Sequence, residues 1–140
     1  MRFETSVDID AAESRVWDVW MDVERWPEWT RSISKVERID AGPLAVGSRV
    51  RIKQPRLPST VWTVTELEPQ QRFAWKANAP GLTTTAVHRL IPRPPNGVTA
   101  ILTIEQRGLL DRLATLVFGG LTRRYVQMEA DGVKRRSEAT

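Results

Sequence analysis

Six strand-like stretches follow one another through the middle of this chain, joined by short connections, and they constrain its topology more than any other feature. They run Ser34 to Ile39, Ser48 to Gln54, Thr60 to Leu67, Arg72 to Ala77, Thr83 to Ile91 and Val98 to Gln106. Val, Ile, Thr and aromatic residues dominate them, and turn residues punctuate them. The punctuation is Gly42-Pro43 with Gly47, Pro55 to Pro58, Glu68-Pro69-Gln70, Ala79-Pro80-Gly81 and Pro94-Pro95-Asn96-Gly97. Parallel neighbours would need crossovers of a dozen or more residues, so this spacing predicts an antiparallel meander. Asn96-Gly97 favours the positive φ angles of a tight hairpin.

A strand and helices frame the meander. Phe3, Thr5, Val7 and Ile9 alternate with Arg2, Glu4, Ser6 and Asp8, the period of a half-buried strand. Asp10-Ala11-Ala12-Glu13 has capping-box spacing, predicting a helix from there, with Ala12, Val16, Val19, Trp20 and Val23 on one apolar face. A second short helical segment, Asp22 to Pro27, follows it. From Leu109 to about Ser137 the period returns to helical, with Leu110, Leu113, Val117, Leu121, Tyr125 and Met128 stepping by three and four. Gly119-Gly120 interrupts it at about 1 kcal/mol per glycine relative to alanine, which predicts a bend or a break.

Composition narrows the chemistry. The 140 residues are the size of one domain, taken as 1–140. There is no cysteine, which excludes disulfides, zinc–thiolate sites and thiol nucleophiles, and a single histidine, His88, leaves no second imidazole for a shared metal. No metal or cofactor is expected. The formal net charge of +4 comes from arginines interleaved with acids, so nucleic-acid binding is not expected. The N-terminus has no signal-peptide core and no apolar run approaches the ~18 residues of a membrane span. A cytoplasmic monomer or homodimer without stable membrane insertion is therefore expected. Peripheral membrane contact by Arg123-Arg124 and Lys134-Arg135-Arg136 should be weak.

The motifs have a familiar order. Val16-Trp17-Asp18, Asp22-Val23-Glu24-Arg25-Trp26-Pro27-Glu28-Trp29-Thr30, Gly42-Pro43-Leu44, Val46-Gly47-Ser48, Trp62 to Glu66, Phe73-Ala74-Trp75, His88-Arg89-Leu90 with Pro92, and Arg107-Gly108 succeed one another. In this the chain resembles the polyketide cyclase/dehydrase and lipid-transport family of the START-like (SRPBCC) superfamily. The resemblance implies an α+β helix-grip fold: a seven-stranded curved antiparallel sheet wrapped around a long C-terminal helix, with two short helices after the first strand. It also implies a cavity between sheet and helix for sterols, lipids or polyketides.

Strand parity sorts the candidate lining. Arg89 belongs in water, which turns Ala86, His88 and Leu90 inward. Phe73 and Trp75 lie opposite Arg72 and Lys76, Trp62 lies opposite Thr63, and Leu102 and Ile104 lie opposite Thr103 and Glu105. Leu113, Val117, Leu121 and Tyr125 would form the roof. Of the six tryptophans, Trp17 and Trp20 read as core, Trp26 and Trp29 as flanking the cavity mouth, and Trp62 and Trp75 as ligand contacts. An inward histidine among apolar neighbours needs either a protein partner or a ligand. Glu66 and Glu105 fall on outward faces, and no serine sits in a nucleophile elbow.

These features predict binding of a hydrophobic or aromatic small molecule such as a lipid or polyketide, for transport or sensing. One alternative is a polyketide cyclase or dehydratase with His88 as catalytic acid/base. Another is a protein-interaction module, which would show an exposed apolar patch near Trp26 and Trp29 or on the long helix.

Overall fold

The computed structural model describes residues 1–139, so only Thr140 of the expected domain lies outside it. The elements are β1 (Arg2–Ile9), α1 (Glu13–Met21), a 3-10 helix (Val23–Glu28), β2 (Lys35–Arg38), β3 (Arg49–Lys53), β4 (Thr60–Glu68), β5 (Arg72–Ala79), β6 (Leu82–Arg93), β7 (Gly97–Arg107) and α2 (Asp111–Glu138). The sheet order is β1-β7-β6-β5-β4-β3-β2, with every neighbour antiparallel. The meander is thus as predicted, and β1 closes onto β7, with Arg2 opposite Glu105 and Ile9 opposite Val98. This is the α+β helix-grip arrangement.

Two local expectations fail for identifiable reasons. The capping box does not form: α1 starts at Glu13 behind Ala12, while the Asp10 carboxylate accepts from Arg93 Nη2 at 3.1 Å. Its long-range cation outcompetes the local cap. The β6–β7 turn consists of Pro94 to Asn96, and Gly97 pairs with Arg93 as the first residue of β7, so neither Asn96 nor Gly97 takes positive φ. Glu66 faces outward as expected, although strict alternation from Trp62 and Val64 would carry it inward. A bulge after Val64 resets the register, so Glu66 faces Ala74 across the pair and binds Arg72 at 2.7 Å on the outside.

The phase of α2 is the main correction. Leu110, Leu113 and Val117, expected on the inner face, are exposed, and Leu121 is only half-buried. The buried row is instead Val126, Ala130, Val133 and Ser137, close to α1 and Trp29. An α-helix is stiff, so anchoring this row carries the same four-residue series back through Thr122, Phe118 and Ala114. The helix runs unbroken through Gly119-Gly120, so no break occurs there.

Carboxylates tie the elements together. Glu138 Oε2 accepts from the Asp10 backbone N–H at 2.8 Å and from Lys134 Nζ at 2.7 Å, joining the end of α2 to β1. The Asp10 N–H and then Lys134 hold the Glu138 carboxyl below its usual range, and Arg49 does the same for Asp40. Their stabilisation is full above the ordinary carboxylate value of about 4 and disappears as pH falls through the lowered folded values. Thermal midpoints should therefore drop on going from about pH 5 to about pH 2, less steeply in Glu138→Gln. Identical profiles for the two proteins would contradict this role for Glu138.

Candidate functional site

Alternation on three unbulged strands builds one wall of a cavity. β6 contributes Thr84, Ala86 and His88, β7 contributes Leu102, Ile104 and Gln106, and β5 contributes Trp75 and Ala77. The opposite wall is the α2 row Ala114, Phe118, Thr122, Tyr125, Val126 and Glu129. Trp62, with Leu57 and Pro58 from the β3–β4 loop, closes a side. The Tyr125 hydroxyl donates to the Pro55 carbonyl at 2.6 Å, which pins that loop to the helix. The cavity volume is about 290 Å³. Along β6 the lining from Thr84 to His88 spans roughly 13 Å.

His88 and Glu129 lie toward the inner end. His88 Nε2 is 2.9 Å from Glu129 Oε1. A carboxylate can only accept, so Nε2 carries the hydrogen of this bond. Nδ1 is buried without a hydrogen-bond partner among the described residues. The imidazole is held as a plate: it stacks on Phe73 with ring centres 4.1 Å apart and planes 3° from parallel. The edges of Trp20, Trp26 and Trp75 surround it at 5.3, 5.8 and 5.8 Å. His88 is nearly inaccessible, whereas Glu129 retains some exposure. The pair therefore presents a carboxylate, backed by an imidazole, to whatever enters. At 2.9 Å the pair is suited to hydrogen bonding and proton exchange, and among the described residues no three His, Asp or Glu side chains cluster.

The structure brings Trp62, Trp75, Ala86, His88, Leu102, Ile104 and Tyr125 to the cavity. It excludes four other predicted contacts. Phe73 is fully buried beneath His88, and Leu90 lies one inward step past His88, in the core opposite Ala100. Val117 points to solvent and Leu121 sits on the flank, both consequences of the helix phase. Trp26 and Trp29 do not flank a mouth. The 3-10 helix accommodates Pro27 and turns both indoles inward. Trp26 lines the cavity wall, donates its N–H to the Trp20 carbonyl at 3.1 Å and packs 5.3 Å from Trp75. Trp29 is buried under α2 and lies off the lining.

Glu129 is the residue that sequence reasoning missed. Its signal was available: it stands four residues after Tyr125, and residues so spaced share a helix face. Phe118 and Thr122 escaped notice because the helix phase was misplaced.

Residues 1–138 match the family described as polyketide cyclase / dehydrase and lipid transport. No functionally curated protein matches the sequence. Among solved structures, the chain is similar to a hypothetical protein from Helicobacter pylori, with a TM-score of 0.85 at 15% identity over 98% of this chain and 88% of that one. It is also similar to the Zhui aromatase/cyclase from a Streptomyces species, with a TM-score of 0.80 at 19% identity over 99% and 93%. A START superfamily protein from Mycobacterium smegmatis matches with a TM-score of 0.74 at 11% identity over 96% and 97%. At these identities the likeness concerns the fold.

Proposed function

Because this chain belongs to the polyketide cyclase/dehydrase and lipid-transport family, we propose that its cavity binds a compact, neutral, largely apolar molecule with an aromatic portion and a hydroxyl group. The observation that carries this reading is the charge pattern of the lining. Among the described residues of the cavity wall, Glu129 is the one acid and none is lysine or arginine. A ligand carboxylate or phosphate would face Glu129 without a fixed cation, whereas a hydroxyl could donate to it. Trp62 and Trp75, with ring centres 5.9 Å apart, offer flat apolar surface. A volume of about 290 Å³ lies at the lower end of small-molecule sites, which favours a few fused rings over a two-chain lipid.

Naphthol and naphthoate, titrated against intrinsic tryptophan fluorescence, test the reading. Naphthol should bind at least about tenfold more tightly than naphthoate, and Glu129→Leu should weaken naphthol by about tenfold or more through loss of a charge-assisted hydrogen bond. Equal affinities, or no response to either compound, would overturn the proposal.

The His88–Glu129 pair also favours a second reading, a cyclase or dehydratase acting on a poly-β-ketone. The Glu129 carboxylate would take a proton from a carbon between two carbonyls, and the carbanion would close a ring on a third carbonyl. The resulting alkoxide would recover the proton, and loss of water with enolisation of the remaining ring ketones would leave an aromatic, phenolic ring. In this scheme Glu129 meets the substrate and His88 holds it in place, which differs from His88 itself exchanging the proton. Glu129→Gln keeps an acceptor and loses the base, so turnover should fall by about 10²-fold or more while naphthol affinity changes by less than about tenfold. A turnover unaffected by the substitution excludes the enzymatic role of Glu129.

A further inference from the structure

The first half of α2, with Leu109 in the turn just before it, presents an apolar surface to solvent on the side opposite the cavity. Leu109 is 96% exposed, Leu116 83%, Val117 60% and Leu113 58%. Ala114, Phe118 and Thr122 line the cavity on the inner side of the same turns. Single exposed apolar residues are ordinary, but a contiguous group on the outer face of one helix is not. The adjoining Ala79-Pro80-Gly81 turn is exposed and uncharged, and its Gly81 carbonyl accepts from the Leu110 N–H at 2.9 Å.

Charge around this surface is of one sign. Between Asp111 and Glu129 there is no acid, while Arg112, Arg123 and Arg124 are all exposed. None of the three forms an ion pair among the described residues. Asp111 itself is held by the Met1 amino group at 2.7 Å. By contrast the basic run Lys134 to Arg136 is occupied: Lys134 binds Glu138, Arg135 reaches the Trp29 carbonyl and Arg136 binds Glu28. Leu113, Leu116 and Val117 thus lie between arginines about 16 Å apart along the axis, from Arg112 to Arg123.

We infer that this face docks on an anionic phospholipid surface, with Leu109, Leu113, Leu116 and Val117 entering the headgroup boundary and Arg112, Arg123 and Arg124 meeting lipid phosphates. An apolar helix face bordered by arginine is the pattern of an interfacial helix. The surface is convex, the outside of a helix rather than a groove, which suits a deformable bilayer. A second copy of the chain is disfavoured by charge, since antiparallel apposition of two such helices would bring Arg112 against Arg123 and Arg124 with no acid to neutralise them. Attachment through this face would be peripheral, and among the described residues no helix is long and apolar enough to cross a membrane. Docking depends on the outer face alone and requires no ligand in the cavity.

Sedimentation with vesicles of equal parts phosphatidylcholine and phosphatidylglycerol, against vesicles of phosphatidylcholine alone, tests the inference with the full chain. Partitioning onto the anionic vesicles should be at least about tenfold stronger and should fall as salt is raised. The Leu113→Gln/Leu116→Gln and Arg123→Glu/Arg124→Glu double variants should each lose about tenfold or more, with thermal midpoints and naphthol response unchanged. Equal binding to both vesicle types, or leucine variants that bind like the parent protein, would overturn it. So would a dimer, detected by light scattering, that the leucine substitutions dissolve in the absence of any vesicle binding.

Discussion

Phe73→Ala should lower the free energy of unfolding by about 4 kcal/mol, while Val117→Ala should change it by less than about 0.5 kcal/mol. By strand parity and helical period both residues were candidates for the cavity wall, and the structure gives them opposite fates. Phe73 is fully buried, stacked on His88 and met by the edges of Trp17, Trp20 and Trp75 at 6.1, 5.8 and 5.4 Å. Truncation removes the aromatic pairs and leaves a void that these rings, with Trp26 at 6.4 Å, cannot close without breaking their own contacts. His88 then loses the plate that fixes its tilt, and Glu129 loses its oriented partner. Naphthol binding should weaken as well, though Phe73 touches no ligand. Urea unfolding checks the stability part: the midpoint should fall with an unchanged m-value. A cost below about 1 kcal/mol would mean that the cluster repacks freely and that His88 is not held by it.

The residues that were legible in advance share one property: they lie on regular strands with a clear polar partner on the opposite face. Arg89 turned His88 inward, Lys76 turned Trp75 inward, and Thr103 with Glu105 turned Leu102 and Ile104 inward. Period-two reasoning works there because a slip of one residue would bury a charge. It could not foresee the bulge after Val64, where the register rather than the residue pattern decides which way Glu66 faces. Helix phase was harder. From Leu109 to Val117 apolar residues occupy both sides of α2, so the local pattern has little contrast and the outcome is set by distant anchors at Val126, Ala130 and Val133. Trp26 and Trp29 were similarly opaque, because Trp26 is buried against β5 and Trp29 against α2, both across the fold, rather than by Pro27 beside them. Glu129 reads as a surface acid until its helix face is known.

If the C-terminal anchors set that phase, Gly132→Ala and Gly120→Ala should move stability in opposite directions. Each replaces a glycine inside α2, and each gains about 1 kcal/mol from helix propensity. At Gly120 nothing lies within 4 Å of the added methyl, so the gain should appear as a raised unfolding midpoint. At Gly132 the methyl would overlap the Trp29 carbonyl oxygen and stand 2.8 Å from Trp29 Cε3. The oxygen belongs to backbone and cannot rotate away, so helix and loop must separate, which costs about 3 kcal/mol in overpacking and lost contacts at Val133 and Ala130. The clash outweighs the propensity gain, for a net loss of about 2 kcal/mol. Separation here also displaces Glu129, one turn earlier on the same rigid helix, so Gly132→Ala should weaken naphthol while Gly120→Ala leaves it unchanged. Two variants that both stabilise would show that the contact with Trp29 yields easily, and the anchor for the phase of α2 would then have to be sought elsewhere on the helix.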